Sequence, residues 1–128
     1  MITLITSMDE ISYYYLQKYR DDNSKSVVMQ DFEANRHPQR IVEDFLNVIE
    51  NRYLDDREKN YVFTIYTDVI PNLVGHMIHR GTLNSEECKI IIVDSEGEKS
   101  YGYEPDGVIR NNWPFGFFLW WESFSLEN

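Results

Sequence analysis

Two acidic side chains, Asp31 and Glu33, stand just beyond a short apolar run, Val27-Val28-Met29. Carboxylates at the end of a buried strand can hold a divalent cation or exchange protons with a substrate. Gln30 comes directly before them. It can accept a hydrogen bond but brings no negative charge to a hard cation. Asp68 and Asp94 also follow apolar runs. Four carboxylates at one sheet edge would suit a small metal-dependent hydrolase or nuclease. The plainer reading of Asp31 and Glu33 is a solvated strand-end turn, and it is preferred. His76 and His79 are three apart on an expected helix and could share a metal, but no third ligand is evident, so an exposed pair is expected. His37 precedes Pro38, where an imidazole is expected to satisfy loop carbonyls. Cys88 is the one cysteine. It opens an apolar run with no histidine beside it, so a buried, inert thiol is expected.

Glycine usage bears on phosphate chemistry. All six glycines fall at or after Gly75. A phosphate loop needs glycine so that backbone N–H groups can approach the anion. Neither G-x-x-x-x-G-K-[ST] nor G-x-G-x-x-G occurs. A conventional nucleotide-binding loop is therefore excluded within this sequence, and no metal or cofactor is expected.

The elements that would position these residues follow from periodicity. Met8, Ile11, Tyr15 and Tyr19 predict a helix over residues 8–20. A buried strand is expected at 26–31. His37-Pro38 opens a helix over about 38–52, with Ile41, Val42, Phe45, Leu46 and Ile49 as its apolar stripe. Glu43, Asp44, Asn47 and Glu50 face away. A strand at 61–66 follows, then a helix at 69–80 whose core face is Val69, Leu73 and Met77, flanked by Val74 and Ile78, and which stops at Gly81. Cys88 through Asp94 form the next strand. Ser95-Glu96-Gly97-Glu98 reads as a hairpin turn before strands at 99–104 and 107–110. The end of the sequence, from Trp113 to Trp121, is dense in aromatics. This order predicts one α/β domain over residues 1–128, a partly parallel sheet flanked by helices, with a C-terminal β-hairpin and an aromatic tail.

Composition narrows the function classes. The sequence has 128 residues, 12 Lys plus Arg, 22 Asp plus Glu and a net charge of −10. Such a surface repels a phosphate backbone, so direct nucleic-acid binding is not expected. Mimicry of DNA by the acidic surface is a weaker alternative, because the acids alternate with Lys and Arg. Aromatics make up 15%, which supports a packed core rather than disorder. No apolar run of membrane-spanning length and no signal-peptide pattern is present, so a cytoplasmic protein away from membranes is expected.

Three segments, taken in order, resemble one family. They are Val27-Val28-Met29-Gln30-Asp31-Phe32-Glu33-Ala34-Asn35-Arg36-His37-Pro38-Gln39, then Phe63-Thr64-Ile65-Tyr66-Thr67-Asp68, then Gly81 through Val93 with Asp106-Gly107-Val108-Ile109 and Trp113-Pro114-Phe115-Gly116-Phe117-Phe118. Over about residues 10–118 this is similar to the C-terminal part of predicted ABC/AAA-type ATPases. These are the overcoming-lysogenization-defect proteins and heads of the chromosome-maintenance type. The resemblance implies half of an ABC-type ATPase head, without the lobe that carries the Walker A loop. It places a degenerate Walker B at Gln30, Asp31 and Glu33. A degenerate switch falls at Tyr66 and Thr67, where the family has histidine and serine. The family's signature segment would fall near Asp9-Glu10-Ile11-Ser12, which has no glycine.

The retained features are structural and the altered ones catalytic. The resemblance therefore implies a pseudo-ATPase that is not an enzyme. It would bind or imitate an ATPase head in antiviral phage defence or in counter-defence. The implied partner is a protein, either a larger ATPase or a second copy. A half-head would leave apolar surface bare, and Tyr13, Tyr14, Trp113, Phe115, Trp120 and Trp121 are the interface candidates.

Overall fold

The computed structural model describes residues 1–7, 26–29, 32–33, 37–94 and 97–110. The helix expected at 8–20, Gln30 and Asp31, and all six aromatic interface candidates lie outside the described residues.

The sheet has five strands: β1 (Ile2–Ser7), β2 (Ser26–Met29), β3 (Asn60–Thr64), β4 (Cys88–Asp94) and β5 (Gly97–Gly102). Their order across the sheet is β2-β3-β1-β4-β5. The first four are mutually parallel, and β5 runs antiparallel to β4. The α/β class and the mixed sheet agree with expectation. The central strand was not foreseen. Ile2-Thr3-Leu4-Ile5-Thr6 is a short run with two β-branched threonines among its apolar residues, and helical periodicity begins only after it. All five residues are buried, because β1 is paired on both sides.

Alternation along β1 sends Ile2 and Leu4 to one face and Ile5 to the other. On the first face they join Tyr61, Phe63, Cys88, Ile90 and Ile92 in the main core. Two helices close this core, α1 (Pro38–Val48) and α2 (Val69–His79). Fully burying a side chain such as Phe45 or Phe63 contributes roughly 1.5–3 kcal/mol. On the second face Ile5, Val62, Ile91 and Val93 form a separate cluster, each at most 3% exposed. Among the described residues, the large hydrophobic side chains left exposed are Met1, Tyr66 and Val108, and no helix is long and apolar enough to cross a membrane.

Helix α1 begins as its sequence suggests, with Pro38 in the first turn and His37 as the N-cap. His37 Nδ1 accepts a hydrogen bond from the Gln39 N–H at 3.2 Å. The imidazole therefore meets an orphan helix donor, not a loop carbonyl. Ile41, Phe45 and Ile49 point into the core, while Glu43, Asn47 and Glu50 are exposed. The last turn, Ile49–Tyr53, widens to π geometry.

Helix α2 is rotated from the expected face. Ile70, Val74, Met77 and Ile78 are buried, whereas Val69 and Leu73 are half-buried. The cause is a second packing partner on its other flank. The turn from Glu104 to Gly107 lies against α2, closed by the Gly107 N–H to Glu104 O bond at 2.9 Å and an isolated pairing of Tyr103 with Ile109. Tyr103 Oη donates to the Pro71 carbonyl at 2.8 Å. The backbones then meet at two glycines. A Cβ on Gly75 would lie 2.4 Å from the Gly107 oxygen, and one on Gly107 would lie 2.0 Å from the Gly75 oxygen. The β4–β5 hairpin also differs from expectation, since Gly97 and Glu98 already pair with Asp94 and Val93.

The glycine contact yields an expected outcome. Gly107 has φ 92°, so Gly107→Ala adds left-handed strain, about 1–2 kcal/mol, to overpacking of about 1–3 kcal/mol. Gly81 has φ 85°, but a Cβ there would meet nothing within 4 Å. Gly81→Ala should therefore cost only the backbone share, about 1–2 kcal/mol. Urea unfolding of both variants checks the order, and equal losses would contradict the close contact.

Candidate functional site

Parallel pairing of β2 with β3, in register at Met29 and Phe63, brings the ends of both strands side by side. The chain leaving β2 turns at Phe32-Glu33. Phe32 is fixed edge-on between two rings, 5.3 Å from Phe63 and 6.4 Å from Phe45 by centroid. That anchor directs Glu33 toward the segment leaving β3.

Glu33 is 6% exposed. Its Oε2 accepts the backbone N–H groups of Tyr66 at 2.6 Å and Thr67 at 2.9 Å. Its Oε1 accepts the Thr67 hydroxyl at 3.0 Å. Thr67 Oγ1 in turn accepts the Val69 N–H at 3.3 Å, in the first turn of α2. Burial pushes the Glu33 carboxyl above its ordinary value, the three donors oppose that rise, and nearby Asp68 adds to it.

Glu33, Tyr66 and Thr67 are therefore one cluster. Sequence spacing treated Glu33 and the Tyr66-Thr67 pair as separate positions. Strand pairing joins them, and Thr67 two residues ahead of a helix start was the available signal. The preferred expectation for Glu33, a solvated turn, is corrected, because both its oxygens are engaged inside the protein. A carboxylate held this way is poorly placed to activate water or to ligate a metal. Tyr66 itself is 38% exposed at this edge.

Asp68 lies near this cluster, whereas His76, His79 and Cys88 lie elsewhere. His76 and His79 are exposed on α2 and line an open groove with Asp106 and Val108. Among the described residues, no group of three or more His, Cys, Asp or Glu could hold a metal ion. Cys88 is 3% exposed, and burial pushes its thiol up to about 12. It should resist a thiol reagent at pH 8 until urea unfolds the chain, and rapid labelling of the native protein would contradict that burial.

A second polar cluster, which sequence reasoning missed, lies at the opposite end of the sheet. Glu87 accepts Tyr53 Oη at 2.6 Å, Arg57 Nη1 at 3.2 Å and the Asn84 N–H at 2.8 Å. Its bond to the Asn84 N–H belongs to a capping box, Asn84-Ser85-Glu86-Glu87, which is a local pattern, but Tyr53 and Arg57 lie 34 and 30 positions away, where no local pattern reveals them.

Glu33 allows a direct test. Glu33→Ala strands two backbone donors and should cost about 2–4 kcal/mol in urea unfolding. Glu33→Gln keeps an acceptor for both N–H groups and should stay within about 1 kcal/mol of wild type at neutral pH. The wild-type carboxyl is raised above 4.5 in the folded state. Its favourable contribution is therefore complete below pH 4.5 and is lost as pH rises through the folded value. The glutamine never charges, so the stability of Glu33→Gln relative to wild type should increase with pH across that window. A difference that does not vary with pH would remove the burial penalty.

The chain matches no protein-family model, no curated protein and no solved structure.

Proposed function

We propose that this chain is a non-catalytic, pseudo-ATPase-like interaction protein that binds or imitates an ABC/AAA-type ATPase head in phage defence or counter-defence. The observation that carries this reading is the closed Glu33 cluster. Glu33, the third residue of the degenerate Walker B in that resemblance, bonds to the backbone of the switch position, and both its oxygens accept donors inside the protein.

Topology supports the same reading. The chain passes from β1 outward to β2, returns through β3 and then crosses to β4 on the far side of β1. The reversal makes the C-terminal end of β1 the place where open α/β sheets bind ligands. The sequence that follows β1, Met8-Asp9-Glu10, has no glycine and two carboxylates. That charge is the wrong sign for a phosphate.

Two measurements on the purified chain test the proposal. Phosphate release from ATP with Mg²⁺ should equal the buffer blank, and MgATP should leave the melting temperature unchanged, since a ligand that binds the native state must raise it. Mixing with a purified ABC/AAA-type ATPase from the same source cell should give a complex on gel filtration. Hydrolysis that Asp31→Asn abolishes would overturn the non-catalytic reading, and separate elution from every such ATPase would overturn the partner.

A further inference from the structure

We propose that Glu33, Tyr66 and Thr67 form a releasable latch, in which one buried carboxylate ties the turn after β2 to the start of α2 and can let go while the sheet stays folded. This device does not depend on the identity of any partner.

Three features of the geometry support release rather than a fixed strut. First, the tie lies outside the strand ladder. Glu33 is in a turn and Tyr66 through Asp68 are bends, so breaking their bonds removes no β-sheet hydrogen bond. Second, the closed state carries a cost. The carboxylate is nearly removed from water beside Asp68, and burial shifts its carboxyl upward, so opening recovers hydration. Third, both sides are anchored next to the tie. Phe32 is held by Phe45 and Phe63, and the Ile65 N–H donates to the Ile5 carbonyl at 2.9 Å. The side chain can leave and return while its neighbours stay in place.

Opening would free the N–H groups of Tyr66 and Thr67 and the Thr67 hydroxyl together. It would also loosen the first turn of α2, because Thr67 Oγ1 accepts the Val69 N–H. The exposed Tyr66 ring is carried on this same segment. The latch thus sets how rigidly the C-terminal edge of the sheet is presented.

Native-state amide hydrogen exchange with low concentrations of urea tests the proposal on the intact chain. The Tyr66 and Thr67 amides should exchange about 100-fold faster than those of Leu4 and Ile90. Their rates should barely respond to urea, the mark of a local opening. In Glu33→Ala they should exchange at least about 10-fold faster again, with a smaller gain in Thr67→Val, which keeps both N–H bonds. Exchange of Tyr66 and Thr67 at the same rate and with the same urea dependence as Leu4 and Ile90 would overturn the proposal. That comparison uses wild-type protein alone, so it decides the matter even if Glu33→Ala does not fold.

Discussion

Strand β1 constrains everything around it. It is bonded on both sides by parallel neighbours, and its residues from Ile2 to Thr6 are all buried. A parallel strand cannot reach its neighbours through tight turns, so β3 and β4 must arrive from elsewhere in the chain. The helix α2 therefore serves as the crossover that carries the chain from one side of β1 to the other. Its packing on the first face follows from that path. A two-sided position also explains the composition of β1, because buried threonines can sit beside isoleucines only where their hydroxyls are bonded. Thr3 Oγ1 meets this need by donating to Asn60 Oδ1 at 2.9 Å.

A parallel sheet gathers its loops at two ends, and each end here is closed by one glutamate. At the C-terminal end Glu33 takes two backbone donors and a hydroxyl. At the N-terminal end Glu87 takes a phenol, a guanidinium and a backbone donor. The two differ in solvent contact. The Glu87–Arg57 pair keeps partial access to water, with Arg57 43% exposed, so the ion pair itself adds little and the hydrogen bonds matter more. Among the described residues, the partners of Glu33 are neutral donors, beside the like charge of Asp68. Neutral donors orient a carboxylate well but compensate its lost hydration less completely.

Sequence reading succeeded where local pattern decides structure. The stripe Ile41, Phe45, Ile49 repeats every four residues, and Pro38 marks its start, so α1 was legible nearly to the residue. The apolar run from Cys88 to Asp94 was equally clear. Failures share a physical cause, which is information that lies in pairing rather than in neighbours. Ile2–Ser7 carries strand-forming isoleucines and threonines but no clean alternation, and its central place shows only in its pairing with β3 and β4. The face of α2 was misjudged because Gly75 meets Gly107 from a distant turn. Glu33 and Thr67 were each noticed, yet their bond crosses 34 positions. Gln30, Asp31 and the aromatic candidates lie outside the described residues, so the structure does not bear on them.

The position of Glu33 shows what a carboxylate between two strand ends can do when it bonds inward. A carboxylate between two strand ends can face outward to water and cations or inward to backbone donors. The same side chain suits both, and the choice depends on what surrounds it. Here Phe32 pins the turn into the aromatic core. The segment after β3 offers two N–H groups and a hydroxyl at hydrogen-bonding distance. Inward bonding satisfies donors that would otherwise be buried and unpaired at the entrance to α2, a cost of about 1–3 kcal/mol each. An acid is then worth keeping at this position for architecture alone. Retention of a carboxylate in a motif is therefore weak support for catalysis, whereas the direction in which its oxygens bond distinguishes the two roles.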